Sequence, residues 1–225
     1  MTAGHVLDGI RDSGKTGVVV AVPPGEGAPL ALRVADMERL EHDIGILRVP
    51  GVQRIPPEWV YTLRWHREPV VQLDPVWTLG FAFGTHTVGA QIRMLHRAFR
   101  GYIVSDPPEF EIPQIGPRRF SAYELSFAAP RGLSGSPLLV GTGTHLPDIG
   151  VTGIVVGNSE SRMLVFSSKE TESESKSSNT TIVERYESLS LGIAIQVGSI
   201  ISQNSELLAM NVGEYLTSHG ILVAT

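Results

Sequence analysis

The sequence contains no cysteine in its 225 residues, which excludes disulfide bonds and thiolate metal sites. No apolar run approaches the roughly 18 residues that a membrane-spanning helix needs. Charged residues make up 18% of the chain, the formal net charge is −5, and no basic stripe interrupts this acidity. The composition therefore argues against a nucleic-acid surface. The opening residues carry none of the marks of a signal peptide.

Turn-forming residues are abundant, with 24 glycines and 15 prolines in the chain. Between them lie short apolar runs rich in β-branched residues, a pattern that favours strands joined by turns. These runs occupy residues 18–22, 30–34, 44–49, 76–81, 102–104, 122–127, 137–140, 151–156 and 191–195. The sequence therefore predicts an all-β fold.

Two segments interrupt this strand pattern. Residues 56–75 are proline-rich and show no sustained period, which predicts a connector. Residues 167–181 contain no apolar side chain and cannot bury enough surface to offset their ordering entropy. We therefore expect a mobile surface loop over residues 159–188.

The last segment, residues 197–225, shows a different period. Apolar residues recur there at i, i+1, i+7 and i+8, which are Ile200, Ile201, Leu207 and Leu208. Ser199 could act as the N-cap. The spacing predicts a C-terminal α-helix followed by a tail.

Residues 9–16 match the phosphate-loop pattern G-x-x-x-x-G-K-[ST] at every fixed position. That motif needs a strand before the loop and a helix after it. The residues that follow, Gly17 to Pro23, are poor helix formers. The context therefore predicts a polar hairpin turn without nucleotide binding.

Ser134 lies among glycines immediately before a predicted strand. A serine hydroxyl is a weak nucleophile unless a base accepts its proton. Gly132 and Gly135 permit a tight backbone around it, so that the N–H groups of Gly132 and Ser134 could bind a developing oxyanion. The alternative is a simple Gly/Ser turn between strands. His5, in a small-residue setting, and Asp43, at the head of an apolar strand, are a candidate base and its carboxylate partner.

With these residues the chain resembles the trypsin/chymotrypsin-like serine peptidases, in particular the disulfide-free bacterial members. The resemblance lies in a T-A-x-H segment ending at His5, a D-I-x-x-L segment starting at Asp43 and a G-x-S-G-x-P segment around Ser134, in the family's order. It implies two packed antiparallel β-barrels in a single domain, residues 1–225. Residues 1–55 would form a first barrel that lacks the strands before the histidine, and residues 76–196 the second barrel.

The resemblance also implies an activity, serine endopeptidase catalysis on a protein or peptide substrate. Ser134 would attack the scissile carbonyl, His5 would accept and return the proton, and Asp43 would orient the imidazole. No cofactor or metal is expected. The alternative is a protease-like domain that binds a protein partner without cleaving it. A partner, or a further N-terminal segment, would then cover the open first barrel.

The resemblance further implies, by position relative to Ser134, substrate contacts from Ala128, Ala129, Val156, Gly157, Asn158 and Gly192. The segment carries no carboxylate, which predicts cleavage after small or medium apolar residues. Leu133 stands where trypsin itself has an aspartate that pairs with a new amino terminus. Because leucine cannot accept such a bond, we expect packing or a partner to hold the oxyanion loop.

Other assignments fit the sequence less well. The α/β-hydrolase elbow, G-x-S-x-G before a helix, fails because Ser136 replaces its last glycine and a strand follows. His42 would point away from the face of Asp43 on a strand. The remaining histidines show no ligand spacing and are interpreted as surface or loop residues: His66, His86, His96, His145 and His219.

Overall fold

The structure, a computed structural model, describes residues 1–21, 29–59, 63–82, 85–88, 91–94, 96–106, 121–141, 149–174 and 177–223. The fold is all-β with few helices, as the turn-bounded apolar runs predict. Its helices are α1 (Gly4–Asp12), α2 (Val197–Ile201) and α3 (Val212–Ser218), with short 3-10 turns at Val52–Arg54 and Pro57–Trp59. The strands are β1 (Thr2–Ala3), β2 (Val18–Ala21), β3 (Leu30–Arg33), β4 (Asp36–Arg39), β5 (Ile44–Arg48), β6 (Arg64–His66), β7 (Pro75–Gly80), β8 (Thr85–Val88), β9 (Gln91–Met94), β10 (Arg97–Ser105), β11 (Ala122–Leu125), β12 (Pro137–Val140), β13 (Gly150–Glu174), β14 (Ser177–Gln196), β15 (Asn204–Ser205), β16 (Met210–Asn211) and β17 (Leu222–Val223).

Six antiparallel strands close into a barrel. Their order is β12, β7, β10, β11, β14 and β13, and β13 pairs back onto β12 to complete the ring. Closure leaves no unpaired edge within the ring, which is how a small sheet protects its hydrogen-bonding groups. Its six strands lie within residues 75–196, nearly the range in which the sequence predicts a barrel.

The front of the chain forms a smaller unit. Strand β5 lies between β1 and β4, with Thr2 opposite Gly45 and Met37 opposite Leu47. Strands β2 and β3 form a separate hairpin. In the part of the chain that the structure describes, residues 1–55 are therefore a three-stranded sheet and a hairpin, where the sequence predicts an incomplete barrel.

The described part of the predicted surface loop, residues 159–174 and 177–188, is not irregular backbone but paired strand. Strands β13 and β14 pair continuously from Gly153 opposite Gln196 to Glu174 opposite Ser177, with two bulges. Residues 159–174 and 177–190 extend this hairpin past the barrel, and we call them the hairpin arm. Composition suggested a loop because residues 167–181 lack apolar side chains. The pairing of β13 with β14 begins in the barrel, and the hydrogen-bonded ladder continues from there along the arm.

The single C-terminal helix is also a wrong prediction. Helix α2 contains Ile200 and Ile201 and begins after Gln196, so Ser199 lies inside the helix and is not its N-cap. Residues 206–209 form a turn between β15 and β16, and a second helix, α3, follows. The apolar residues do recur at this spacing, but Ile200 and Ile201 lie in α2, whereas Leu207 and Leu208 lie in the turn between β15 and β16.

The connector at residues 56–75 contains a short strand that was not predicted. Strand β6 pairs in parallel with β13 and with β17, and so joins the chain's last strand to the barrel wall.

Residues 9–16 form neither a phosphate loop nor a hairpin turn. They lie at the end of α1, which was not predicted, and Gly14 adopts φ +63° in the turn that follows. The residues that match the pattern thus form the carboxyl end of a helix and the turn after it. Phosphate binds at the opposite, amino end of a helix.

One apolar cluster joins the front sheet to the barrel. Buried Ala3, Ile44 and Ile46 of the front sheet share it with barrel and C-terminal residues, among them Ile154, Ile195, Ile200 and Leu216. Because β1 leads directly into the helix that bears His5, this shared core fixes the front of the chain against the barrel.

Candidate functional site

His5 and Asp43 form a hydrogen-bonded pair. The His5 Nδ1–H donates to Asp43 Oδ2 over 2.7 Å, and the backbone N–H of His5 donates to Oδ1 over 2.7 Å. The Asp43 side chain is 1% exposed, whereas that of His5 is 48% exposed. The carboxylate is therefore enclosed, and the imidazole lies at the surface.

This pairing defines the tautomer of the neutral imidazole. A carboxylate oxygen can only accept, so the ring proton lies on Nδ1. The other nitrogen, Nε2, then carries a lone pair and is available as a proton acceptor. His5 is in this respect prepared to act as a general base.

The local backbone places Asp43 against the start of α1. His42 and Asp43 adopt φ of +58° and +59° in the tight connection between β4 and β5. Histidine and aspartate are among the non-glycine residues most tolerant of this left-handed conformation. The Gly4 N–H donates to the Asp43 carbonyl over 2.6 Å, so the turn is anchored to the residue before His5.

Arg39, which belongs to none of the sequence motifs, also contacts Asp43. Arg39 NH2 donates to Asp43 Oδ1 over 3.2 Å, and NH1 pairs with Asp8 of α1. A Cβ at Gly4 would lie 2.9 Å from Arg39 Nε and 3.0 Å from Asp43 Oδ1. Only glycine leaves room there for the guanidinium beside the carboxylate. The i, i+4 spacing of Arg39 and Asp43 gave no signal, because neither lies on a helix.

Residues 131–136, which we call the nucleophile loop, consist of two successive tight turns that share Leu133. Leu133 N donates to Pro130 O over 3.1 Å, and Ser136 N donates to Leu133 O over 2.9 Å. The third residue of each turn is a glycine, Gly132 at φ +95° and Gly135 at φ +89°. A positive φ at the third position is what a type II turn requires.

Within the described residues, these turns leave three backbone amides without an acceptor, those of Arg131, Gly132 and Ser134. The amide of Leu133 is consumed within the first turn, and that of Gly135 donates to Val155 O over 2.7 Å. Two of these three, the amides of Gly132 and Ser134, are the donors that the sequence analysis assigned to an oxyanion site.

Packing fixes the loop. Leu133 is 0% exposed and lies in a second apolar cluster with Val76, Leu138 and Val155. A Cβ at Gly132 would lie 2.6 Å from the Phe81 carbonyl oxygen. The buried leucine thus holds the centre of the loop in the barrel.

The nucleophile loop lies against the strand that leads to His5. A Cβ built on Gly135 would come within 2.9 Å of Thr2 Cα and 3.0 Å of Ala3 N. Gly135, the residue after Ser134, thus lies against Thr2 and Ala3 of β1, which come two to three residues before His5. In the described structure, Ser134 Oγ forms no direct hydrogen bond with the His5 ring. The structure brings His5 and Asp43 together and places the Ser134 loop beside their elements.

Four of the six expected substrate-contact residues lie on neighbouring segments. Asn158 pairs with Gly192 across strands β13 and β14, and Gly157 precedes Asn158. The Asn158 side chain accepts from Ala129 N over 2.6 Å and donates to Ala129 O over 3.0 Å. Ala128, the fifth, is exposed beside Ala129, whereas Val156 is 4% exposed in the core shared with the front sheet.

The other histidines have local contacts. The His96 ring lies 5.2 Å from that of Phe81, and the His219 ring stacks on Tyr215 at 4.1 Å. His66 lies against Gly150, His86 is on β8, and His145 lies outside the described residues. Across the described ranges, no group of three or more His, Asp or Glu residues could hold a metal ion.

None of the described helices is long and apolar enough to cross a membrane.

No protein-family model matches this chain, and no curated protein matches it in sequence. Its functional assignment therefore depends on the motifs and on the geometry of His5, Asp43 and the nucleophile loop.

Proposed function

We propose that this chain is a serine endopeptidase of the trypsin/chymotrypsin type. The observation that carries the proposal is the His5–Asp43 pair, joined by two hydrogen bonds of 2.7 Å to one enclosed carboxylate. The closed six-stranded barrel and the two glycine-bearing turns around Ser134 support it.

In the proposed reaction, Ser134 Oγ attacks the carbonyl carbon of the scissile peptide bond. His5 Nε2 accepts the hydroxyl proton, and Asp43 stabilises the resulting imidazolium. The carbonyl oxygen becomes an oxyanion that accepts from the amides of Gly132 and Ser134. The C–N bond then breaks, and His5 returns its proton to the leaving amine. Water attacks the acyl-enzyme by the same route, releasing the acid and restoring Ser134.

Substrate selection follows from the segment around Ala129. Asn158 is uncharged and pairs both the oxygen and the nitrogen of its amide with the Ala129 backbone, so that side chain offers no charge to a charged substrate group. Together with the small residues Ala128, Gly157 and Gly192, this supports cleavage after small or medium apolar residues.

A peptide-library digest tests both parts of the proposal. We expect cleavage after residues such as Ala, Val or Leu, abolished in Ser134→Ala and retained in Ser136→Ala, the matched serine variant in the same loop. A profile dominated by basic residues before the cleaved bond would refute the specificity.

The second candidate, a protein-binding module, is favoured by one observation: Ser134 Oγ has no direct hydrogen bond to His5. Folded protein that keeps the His5–Asp43 pair but cleaves no peptide, alone or with added partner, would establish this alternative.

A further inference from the structure

We infer that Arg39 is a positioning residue for the His5–Asp43 pair. This inference rests on the proposed function and adds to it a residue that neither the sequence motifs nor the family resemblance supplies. The observation is that one guanidinium connects two carboxylates, Asp43 beneath the imidazole and Asp8 on the imidazole's own helix.

The Asp43 carboxylate needs donors for both oxygens, because its side chain is almost entirely enclosed. Oδ2 receives only the His5 ring, whereas Oδ1 receives the His5 amide and Arg39 NH2. A carboxylate with one oxygen held by two donors cannot rotate about its Cβ–Cγ bond without losing both. Arg39 therefore fixes Oδ2 towards Nδ1, which in turn fixes the tautomer of His5.

Three contacts fix Arg39 itself. NH1 pairs with Asp8, NH2 pairs with Asp43, and the stem lies over Gly4, where any Cβ would meet it. The planar guanidinium presents its two nitrogens to two carboxylates at once, a geometry that the single ammonium of lysine cannot reproduce. The Arg39 side chain is 35% exposed, so part of its charge is screened by water. We therefore expect a measurable effect of Arg39 on rate and not a complete loss.

The charged groups around His5 come from three elements. Asp8 is on α1, Arg39 ends β4, and Asp43 lies in the turn before β5 together with His42. Removing Arg39 leaves Asp43 with His5 as its only side-chain donor and releases Asp8. Oδ1 would then keep only the His5 amide as a donor, so the carboxylate could turn more readily and the imidazole would lose its single orientation.

The experiment compares wild type, Arg39→Met, Arg39→Lys and Arg48→Met by two independent readouts. Arg48 serves as the matched control, since it lies on the adjacent strand β5 and donates to Leu207 O, away from the pair. The first readout is long-range 1H–15N NMR of the His5 ring at a pH where the ring is neutral, which reports the protonated nitrogen. The second is the rate at which a fluorophosphonate modifies Ser134.

We expect the Nδ1–H form of His5 in wild type and in Arg48→Met, a mixture of tautomers in Arg39→Met, and an intermediate state in Arg39→Lys. The fluorophosphonate rate should fall roughly tenfold to a hundredfold in Arg39→Met, the scale expected for slight misplacement of a catalytic group. Arg39→Lys should recover part of the rate.

An unchanged His5 tautomer in Arg39→Met, or an equal change in Arg48→Met, would overturn the inference. Absence of the Nδ1–H form in wild type would overturn it as well. Failure of the proposed function gives a different result: no variant reacts with the fluorophosphonate, while the tautomer still changes only when Arg39 is replaced.

Discussion

At the scale of single residues, the site depends on positions where a side chain would not fit. Gly135 has a positive φ, and a Cβ there would approach Thr2 Cα to 2.9 Å. Gly4 and Gly132 have comparably close neighbours. These glycines allow the nucleophile loop and the start of α1 to lie against their neighbours.

Gly135→Ala should therefore lower the free energy of unfolding by at least about 1 kcal/mol, because alanine is disfavoured at positive φ and its Cβ displaces β1. Gly9→Ala is the matched control, since a Cβ there meets nothing within 4 Å and Gly9 lies within α1. It should stabilise the protein by roughly 0.5–1 kcal/mol. Chemical denaturation measures both changes, and equal effects would contradict the described contact.

Leu133→Ala tests whether packing holds the nucleophile loop. Removing this buried side chain should cost about 2–5 kcal/mol, and so should Ile103→Ala in the same apolar cluster. Only Leu133→Ala should also slow the reaction of folded protein with a fluorophosphonate, because only Leu133 lies in the loop. Equal slowing in both variants would indicate a general effect of lost stability.

At the scale of elements, Glu38 connects the front sheet to the hairpin formed by β15 and β16. Its carboxylate accepts from Ser205 Oγ, from Glu206 N over 2.9 Å and from Leu207 N over 3.0 Å. Burial alone would raise the pKa of Glu38, but the hydrogen bonds from Ser205, Leu207 and Glu206 outweigh it, and the pKa lies below its ordinary value.

A lowered pKa in the folded state means that the charged form stabilises the fold. Its contribution is complete above the ordinary glutamate pKa and is lost as the pH falls through the lowered one. Glu38→Gln should therefore cost about 1 kcal/mol at pH 7, a figure reduced for partial exposure. The difference in unfolding free energy between Glu38→Gln and wild type should shrink below about pH 4.

Unfolding curves recorded from pH 7 to pH 3 check this prediction. Glu206→Gln is the matched control, because its side chain is exposed in the same hairpin. A Glu38→Gln deficit that persists undiminished at pH 3 would contradict the assignment.

The hairpin arm should be dispensable for the barrel. In the described structure its strands pair only with each other, whereas the barrel uses residues 150–158 of β13 and 192–196 of β14. Replacing residues 162–188 by a two-residue Asn-Gly turn should shift the unfolding midpoint by less than about 4 °C, equivalent to about 1 kcal/mol. Loss of cooperative unfolding would show instead that the arm contributes to the core.

The elements show what the sequence could predict. Strand β12 was predicted at its observed bounds, and β5, β7 and β11 within two residues, because turn residues border their apolar runs. The turn at residues 206–209 could not be predicted, since Glu38 fixes it from 168 positions away in the chain. Arg39 was missed for a similar reason, because its role depends on a turn conformation that the local sequence does not specify.

At the scale of the whole molecule, the candidate site lies where two units meet. The front of the chain contributes His5 on α1, Arg39 at the end of β4 and Asp43 in the turn before β5, and the barrel side contributes Ser134 and the residues around Ala129. The apolar cluster that includes Ala3, Ile44 and Ile154 joins these units. The proposed proton path from Ser134 to His5, with Asp43 stabilising the imidazolium, would therefore require the assembled fold and belong to neither unit alone.

The most direct test of that path is to react the folded protein with a fluorophosphonate and locate the adduct by mass spectrometry. We predict a single adduct on Ser134, with the rate lowered at least about a hundredfold by His5→Ala or Asp43→Asn, the scale of general-base catalysis. An adduct elsewhere, an unchanged rate in His5→Ala, or no adduct on folded wild-type protein would contradict the account.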